Sequence, residues 1–134
     1  MKMNTRTATI YVAASKTANA GRGVFASEDI SRGSIIEICP TIELTKHDTA
    51  HISESMLATY LFFFGETKEQ GLLVLGYGSL YNHSHTPNAI YQMSPTYKTI
   101  SFIANKDIKK DSEITFDYAT GSSNNKNPLW FEVR

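Results

Sequence analysis

Residues 76–88, GYGSLYNHSHTPN, place polar and aromatic side chains directly after the apolar run from Leu72 to Leu75. A polar cluster attached to buried chain is typical of a binding site or of a capped turn. In the second interpretation, the amide and hydroxyl side chains of the segment satisfy backbone groups around Pro87. Taken alone, the segment leaves both interpretations open.

His83 and His85 in this segment also raise the question of a metal site. The two histidines lack a clear third ligand, although Asp117 could approach them in space. A Ser-His-acid hydrolase built from Ser84, His83 and Asp117 is disfavoured. The sequence has no nucleophile elbow, and adjacent residues of a strand point to opposite faces.

A second histidine pair, His47 and His51, encloses Asp48 at helical spacing, as in the H-E-x-x-H motif of zinc hydrolases. The acid is shorter than the Glu of that motif, and the segment is polar where such helices are flanked by apolar turns. A solvated helix face is therefore favoured over a zinc hydrolase, which would bind stoichiometric metal.

Two further segments carry polar groups at the ends of predicted strands. Gly21-Arg22-Gly23 precedes a strand, and Gly-x-Gly lets the backbone approach a ligand closely, although a plain turn is the simpler interpretation. A Rossmann fingerprint is excluded because the third glycine and the following helix are missing. Residues Glu113 to Tyr118 alternate between polar and apolar side chains and end in an acid, Asp117, and a phenol, Tyr118. A tyrosine at the end of a strand usually packs against neighbouring side chains.

Hydrophobic patterning predicts a mostly β chain. One helix is predicted from Lys46 to Ala58, and a hairpin turn is predicted at Ser94-Pro95-Thr96-Tyr97. Residues 26–36 resemble residues 104–114, with Gly33 and Asp111 in the same slot, where a left-handed backbone is expected. The predicted strands are Ala8–Ala13, Gly23–Ala26, Ser34–Cys39, Thr59–Phe64, Leu72–Leu75, Asn88–Met93, Thr99–Ala104 and Glu113–Phe116.

The composition is that of one globular domain, with 134 residues of which 41% are hydrophobic and 19% charged. Basic and acidic residues each number 13 without a long run of either sign, which argues against nucleic acid as a direct partner. The single cysteine, Cys39, excludes an internal disulfide and favours a reducing compartment. No signal peptide or membrane span is predicted, so we expect a soluble intracellular protein.

In order along the chain, the three motif-bearing segments resemble the SET-domain family of protein lysine methyltransferases. Residues 82–88 (NHSHTPN) match the family motif N-H-S-x-x-P-N at every fixed position. Residues 113–118 (EITFDY) resemble E-[IL]-x-x-D-Y, and residues 21–26 (GRGVFA) resemble G-x-G-[VL]-F-A. The resemblance runs from about Asn19 to Tyr118 and is closest to the minimal single-domain viral SET protein.

The resemblance implies transfer of methyl groups from S-adenosylmethionine to a protein lysine, with histone tails as the family's commonest target. A SET-like module that binds a lysine peptide without turnover is the alternative, which the intact motifs disfavour. The implied fold is mostly β, with small sheets, a C-terminal pseudoknot and one or two short helices. Residues 1–134 are expected to form a single SET domain, with a motif-bearing core at about 19–118 and an aromatic lid at 119–134.

The resemblance also implies roles for individual side chains. Tyr118 is the catalytic residue, whose hydroxyl orients the amine and the methyl group. Phe116 occupies the family's Phe/Tyr switch position, and a Phe there implies that di- or trimethylation occurs. The substrate channel is implied to be walled by Tyr60, Tyr77 and Phe116. The implied cofactor-binding residues are Gly21, Arg22, Gly23, Asn82, His83, Tyr118 and Trp130.

This chain departs from many relatives around the core. The family's cysteine-rich zinc segments are absent, so no metal is expected. Trp130 and Phe131 are candidates to replace the missing lid, either over the adenine or at the lysine channel, and packing against an unrelated patch or a second subunit is the alternative. A homodimer would add stability to so small a domain. The location is expected to be cytoplasmic, or nuclear in a eukaryotic or viral setting.

Overall fold

The computed structural model describes residues 10–17, 19–64, 70–94 and 96–118. These residues form mostly β structure, as the sequence predicts, with short 3-10 helices at Met56–Tyr60 and Gly78–Leu80. None of the described helices is long and apolar enough to cross a membrane. The remaining elements are β1 (Ile10–Ala14), β2 (Arg22–Ala26), β3 (Ile35–Glu43), α1 (Lys46–Ile52), β4 (Phe62–Phe64), β5 (Gln70–Val74), β6 (Asn82–His83), β7 (Ala89–Ser94), β8 (Thr99–Ala104) and β9 (Glu113–Phe116).

The strands form two sheets, with the orders β1-β2-β9-β6 and β4-β5-β3-β8-β7. The pairing of β6 with β9 is parallel, with Asn82 opposite Thr115 and His83 opposite Phe116. A parallel pair needs a crossover connection, and here the chain between the two strands forms β7 and β8 of the other sheet. This crossover lays the two polar motifs side by side. The predicted pseudoknot also involves the stretch after Tyr118, which lies outside the described residues.

Both sheets contribute to one hydrophobic core. In β8, the side chains of Ile100, Phe102 and Ala104 are buried, while those between them are half-buried. This period of two is expected of a strand that covers a core with one face. The other buried members are Val24, Ala26, Ile30, Ile36, Cys39, Leu72, Val74, Tyr81, Ala89, Ile108, Ile114 and Phe116.

The helix predicted from Lys46 to Ala58 is wrong in its extent. α1 ends at Ile52, and a separate 3-10 helix begins after Ser55, whose Oγ accepts a hydrogen bond from the backbone N–H of Leu57 at 3.2 Å. Serine side chains compete with the helix ladder in this way, which explains the break. Met56 and Leu57, two apolar residues of this 3-10 helix, are exposed.

Other boundaries differ from the prediction near the ends of elements. The strand predicted from Thr59 begins only at Phe62, because the preceding residues belong to the 3-10 helix. The first strand is described from Ile10, and the residues predicted before it lie outside the described range. The predicted hairpin turn is confirmed, since β7 and β8 pair antiparallel up to Ser94 opposite Thr99.

The two similar segments, 26–36 and 104–114, pair with each other around an approximate two-fold axis. Ile30 and Ile108 exchange both backbone hydrogen bonds at 2.8 Å. The side chains repeat this reciprocity at matching positions. Asp107 Oδ1 accepts from the N–H of Arg32, and Asp29 Oδ1 accepts from the N–H of Lys110, each at 2.8 Å.

The shared slot of the repeat is left-handed in both copies, as predicted. Gly33 has φ 88° and Asp111 has φ 68°. In each turn the N–H of this residue reaches across to the other copy, from Gly33 to the carbonyl of Ala104 at 2.8 Å and from Asp111 to that of Ala26 at 2.7 Å. The left-handed backbone at Gly33 and Asp111 therefore directs these N–H groups toward the other copy of the repeat.

Replacing Gly33 with Ala is expected to lower the free energy of unfolding by about 1–2 kcal/mol, the cost of a left-handed backbone with a side chain. No atom lies within 4 Å of the position that the new Cβ would take, so the effect comes from the backbone alone. Urea unfolding would measure it. The exposed neighbour Ser31→Ala should stay within about 0.5 kcal/mol of the wild type, and equal stability of both variants would contradict the assignment.

Candidate active site

The capped-turn interpretation is correct for part of the polar segment. The Asn88 side chain pairs with the backbone of β9 as a neighbouring strand would. Its Nδ2 donates to the carbonyl of Glu113 and its Oδ1 accepts from the N–H of Thr115, both at 2.9 Å. Ser84 Oγ accepts from the N–H of Thr86 at 3.0 Å. These contacts stabilise the loop and leave Asn82 and His83 at its start, beside β9.

Asn82 ties the Gly-x-Gly segment to β9. Its Nδ2 donates to the carbonyl oxygen of Arg22 at 2.8 Å and to Oε2 of Glu113 at 2.9 Å. The Glu113 carboxylate also accepts from the hydroxyl of Ser15 at 2.8 and 2.9 Å. A Cβ on Gly23 would lie 2.3 Å from Oε2 of Glu113 and 3.0 Å from Nδ2 of Asn82. A side chain at position 23 would therefore displace the Glu113 carboxylate from its present position.

Tyr118 is fixed at both ends. Its backbone N–H donates to Nδ1 of His83 at 3.1 Å, and its hydroxyl donates to the carbonyl oxygen of Tyr81 at 2.7 Å. Its ring lies 5.1 Å from the rings of His83 and Phe116, centroid to centroid. Partial burial raises the pKa of the Tyr118 phenol, and the negative charge of Glu113 adds to the effect. The Tyr118 hydroxyl donates its proton to the Tyr81 carbonyl, so the hydroxyl oxygen can interact with a further polar group only as a hydrogen-bond acceptor.

A cavity of about 140 Å³ opens beside this phenol. It is roughly the size of an apolar cavity that accepts benzene. Its wall includes Tyr60 and Phe116, two of the three side chains predicted for the lysine channel, together with Tyr118. The full lining consists of Thr59, Tyr60, Leu61, Phe62, Phe63, Gly78, Ser79, Tyr81, Tyr91, Phe116 and Tyr118.

Phe116 forms the centre of the aromatic wall. It is 3% exposed, and its ring centroid lies 5.6 Å from that of Phe62, 5.4 Å from that of Phe102 and 5.8 Å from that of Tyr91. Rings in contact at these distances and tilts hold one another in place. Aromatic rings therefore pack around Phe116 where β9 borders the cavity.

The structure places Tyr77, the third residue predicted for the lysine channel, outside the lining of this cavity. Tyr77 is 38% exposed and absent from the cavity lining, whereas Tyr81, four positions later, is 2% exposed and lines it. The 3-10 helix Gly78–Leu80 lies between them and reorients the chain. Sequence reasoning missed Tyr81, although its place directly before Asn82 was an available signal.

The chain is similar to known proteins over most of its length. The family model described as the SET domain matches residues 21–119. The chain belongs to the SET-domain family. A Schizosaccharomyces pombe relative, the histone-lysine N-methyltransferase described as H3 lysine-37 specific, is 34% identical over 117 residues, which are 87% of this chain and 74% of that protein.

Solved structures show the same SET fold. A candidate histone methyltransferase of Plasmodium falciparum matches with a TM-score of 0.59 and 37% identity, covering 84% of this chain and 93% of that one. A chain of the Chaetomium thermophilum Polycomb Repressive Complex 2, solved bound to S-adenosylmethionine, matches with a TM-score of 0.69. It is 20% identical and covers 88% of this chain and 16% of that one, so this likeness shows the fold alone. By family, this SET domain is an S-adenosylmethionine-dependent protein-lysine N-methyltransferase.

The residues of the Gly-x-Gly segment fit the cofactor of the family. Gly21 has φ 71° with open space where a Cβ would lie, and both Gly21 and Arg22 are exposed. The Gly21 carbonyl already accepts from the N–H of Ser15 at 2.7 Å, and the Arg22 carbonyl accepts from Asn82. The fit therefore rests on the open space at Gly21, which leaves room for a ligand to approach the backbone closely. Trp130 and Phe131, the predicted lid residues, lie outside the described part of the chain.

Glu37 holds Tyr81, a role that sequence reasoning missed. Its Oε1 accepts from the Tyr81 hydroxyl at 2.8 Å, and its Oε2 accepts from the N–H of Tyr77 at 2.9 Å. Burial raises the pKa of Tyr81 well above its ordinary value, and the charge of Glu37 adds to this. The Tyr81 ring stacks on Phe102 at 4.3 Å. Since the carbonyl of Tyr81 anchors Tyr118, Glu37 positions Tyr118 indirectly. An isolated acid within the apolar strand β3 was the available signal.

Replacing Glu37 with Gln is expected to lower the free energy of unfolding by about 1–3 kcal/mol. The amide has one oxygen, which cannot replace both charge-assisted acceptors, so kcat should also fall as Tyr81 loosens. Urea unfolding and initial rates would measure the two effects. Glu54→Gln, at an exposed position after α1, is the matched control and should change neither. Wild-type stability and turnover in Glu37→Gln would rule out the positioning role.

The His47 and His51 pair lies on the surface, as the solvated-face interpretation predicts. Both residues and Asp48 are exposed, and Nδ1 of His51 lies 3.0 Å from the carbonyl oxygen of His47. The ring centroids are 4.3 Å apart. In the described part of the chain this pair has no third metal-binding side chain nearby, so the structure offers no support for a zinc hydrolase.

Proposed function

We propose that this SET domain methylates a lysine of a histone tail, and that the lysine enters the aromatic cavity beside Tyr118. The double anchoring of Tyr118, through His83 and through Tyr81, is the observation that carries the proposal. It holds the phenol at the wall of the cavity and against the carbonyl of Tyr81, the residue that precedes Asn82. Methyl transfer is an in-line displacement, so the amine and the cofactor must approach the reacting carbon from opposite sides. In this proposal the lysine cavity and the cofactor site must therefore lie on either side of the Tyr118 phenol.

The proposed cofactor site consists of Gly21, Arg22 and Gly23 together with Asn82 and His83. S-adenosylmethionine supplies an electrophilic methyl group at this point. Asn82 keeps the Arg22 carbonyl in place through its hydrogen bond at 2.8 Å, and Gly23 leaves room for the side chains of Glu113 and Asn82. The tail residue Trp130 is proposed to cover this site.

The cavity suits a lysine side chain. Aromatic rings pack along its aliphatic stem and attract its charged head before reaction. A free lysine has a pKa of about 10.4 and is charged at neutral pH. The removal of water by Tyr60, Phe116 and the other rings favours the neutral amine, which is the nucleophile. No side chain of the cavity then has to act as a dedicated base, provided that water carries the proton away.

Tyr118 is proposed as the catalytic residue. Its hydroxyl proton points to the carbonyl of Tyr81, so its oxygen is left to accept hydrogen bonds from within the cavity. An oxygen of this kind orients the amine and makes weak C–H···O contacts to a polarised methyl group. Backbone carbonyls beside the reacting carbon would also make C–H···O contacts to the methyl group.

Phe116 is proposed to permit di- and trimethylation. A ring without a hydroxyl at this position leaves room for an amine that already carries methyl groups. It also offers no group that would hold a water in that space.

The proposed substrate class and location follow from the relatives. The similarity to an enzyme described as H3 lysine-37 specific supports histone H3 as the first candidate. Action on a histone would require the protein to reach the nucleus. A homodimer is proposed as the assembly, and the mass of the purified protein in solution would test it.

The experiment is incubation of the purified full chain with isotopically labelled S-adenosylmethionine and either recombinant histone H3 or a whole-cell protein extract. Mass spectrometry would map the labelled lysines. Label on a histone H3 lysine supports the proposal, whereas label confined to other proteins would exclude the histone assignment. Binding of lysine peptides without any label transfer would identify a catalytically silent module instead.

A further inference from the structure

Three side chains with metal-binding groups meet beside Tyr118. Nε2 of His83 lies 3.4 Å from Nε2 of His85. The Asp117 carboxylate completes the group, with Oδ1 3.8 Å from Nδ1 of His83 and Oδ2 3.8 Å from Nδ1 of His85. Asp117 therefore lies close to both histidines, as the sequence allowed.

The geometry of this cluster suits a small divalent ion. One ligand atom from each of His83, His85 and Asp117 can be chosen so that all three lie within 4.8 Å of one another. Two nitrogen ligands of tetrahedral zinc, at about 2.0–2.1 Å from the ion, lie roughly 3.3–3.4 Å apart, and this is the spacing of the two Nε2 atoms. The 3.8 Å distances from Asp117 are to the Nδ1 atoms, so a side chain must turn before one atom of each residue reaches the same ion. The His85 side chain is free to do so because it is 87% exposed.

We propose that His83, His85 and Asp117 bind one Zn²⁺ ion, with water in the fourth position, and that this binding inhibits methyl transfer. Two imidazoles and a carboxylate form a ligand set that zinc prefers. The site is distinct from the cysteine-rich segments that the sequence lacks. It also goes beyond the proposed function, which uses no metal.

The inhibition follows from the single lone pair on Nδ1 of His83. That nitrogen accepts the N–H of Tyr118 at 3.1 Å, so a neutral His83 ring carries its proton on Nε2. If zinc binds Nε2, the proton must move to Nδ1, which can then no longer accept. If zinc binds Nδ1, the lone pair is taken directly. In either case Tyr118 loses one of its two anchors when the ion binds.

The binding test uses Zn²⁺ alone, titrated calorimetrically into the metal-free full chain, with elemental analysis of the product. We expect one ion per chain. His85→Ala and Asp117→Asn should each weaken the affinity by about tenfold or more, as loss of a ligand or its support does in other zinc sites. His47→Ala is the matched control, since it removes one histidine of the surface pair on α1 and should leave the affinity unchanged.

The outcomes of this titration are distinct. Affinity that is lost in His85→Ala and kept in His47→Ala supports the site. Equal affinity in the wild type and His85→Ala overturns the proposal, as does affinity that depends on His47. This result does not depend on the identity of the methylated substrate, so failure of the histone assignment would leave it intact.

The inhibition test measures initial methyl-transfer rates, on whichever substrate proves active, with and without one equivalent of Zn²⁺. The wild-type rate should fall several-fold and recover when a chelator is added. The rate of His85→Ala should not respond to zinc, because the exposed side chain of His85 has no part in the methyl-transfer site. If the site is saturated with zinc and the wild-type rate stays unchanged, the proposal that zinc and the N–H of Tyr118 compete for Nδ1 of His83 is overturned.

Discussion

Tyr118→Phe is expected to lower kcat on the order of 100-fold, the loss that follows removal of one preorganised polar group from a reaction centre. The variant keeps the ring, its contact with Phe116 at 5.1 Å and the backbone hydrogen bond to His83. It loses only the hydroxyl, which is held against the Tyr81 carbonyl at 2.7 Å. Affinity for S-adenosylmethionine should therefore stay near the wild-type value. Single-turnover rates and cofactor titrations would measure the two quantities.

Tyr97→Phe is the matched control for this experiment. Tyr97 is 72% exposed in the turn between β7 and β8, and its phenol lies outside the cavity lining. Its variant should turn over like the wild type. If Tyr118→Phe also kept its rate, the phenol would have no role in the chemistry. If it lost cofactor affinity in parallel with its rate, the phenol would act in binding instead.

Phe116→Tyr is expected to shift the products from di- and trimethyl-lysine to mainly monomethyl-lysine. The new hydroxyl would sit on a ring that is 3% exposed and lines the cavity. A buried hydroxyl needs a hydrogen-bond partner, and a water or the amine itself would supply it. Either partner takes the space that a methylated amine requires. Mass spectrometry of the product lysine over a time course would measure the shift.

Phe25→Tyr adds the same hydroxyl to another buried ring, one that stacks on Tyr11 at 5.5 Å and does not line the cavity. It should leave the product distribution unchanged. An unchanged distribution in Phe116→Tyr as well would remove Phe116 from the control of product state.

Much of the β framework could be predicted from local pattern. The alternation of β8 and the left-handed slot shared by Gly33 and Asp111 follow from the geometry of a few neighbouring residues. The end of α1 could not be predicted in this way, because apolar spacing continues past Ile52 while Ser55 caps a new 3-10 helix. Capping depends on backbone angles, which the spacing of apolar residues does not report.

The site was partly predictable for a similar reason. Asn82, His83 and Tyr118 lie in motifs whose residue types already indicate their chemistry, and the structure brings them together. Tyr77 and Tyr81 are both aromatic and lie on either side of a short 3-10 helix, so their orientation depends on how that helix turns. Glu37 is an acidic residue in a mostly apolar strand, and its role becomes clear only when its two hydrogen-bond donors are known.

The three motifs, in their order along the chain, were sufficient to indicate the family and its reaction, because each motif is a local pattern of residue types that can be recognised within a few positions of the sequence. The arrangement of the groups in space required the folded structure. His83 and Tyr118 are 35 positions apart, and Asn82 and Arg22 are 60 apart. Contacts over such separations arise from the pairing of β6 with β9 and of β9 with β2, which no local pattern encodes.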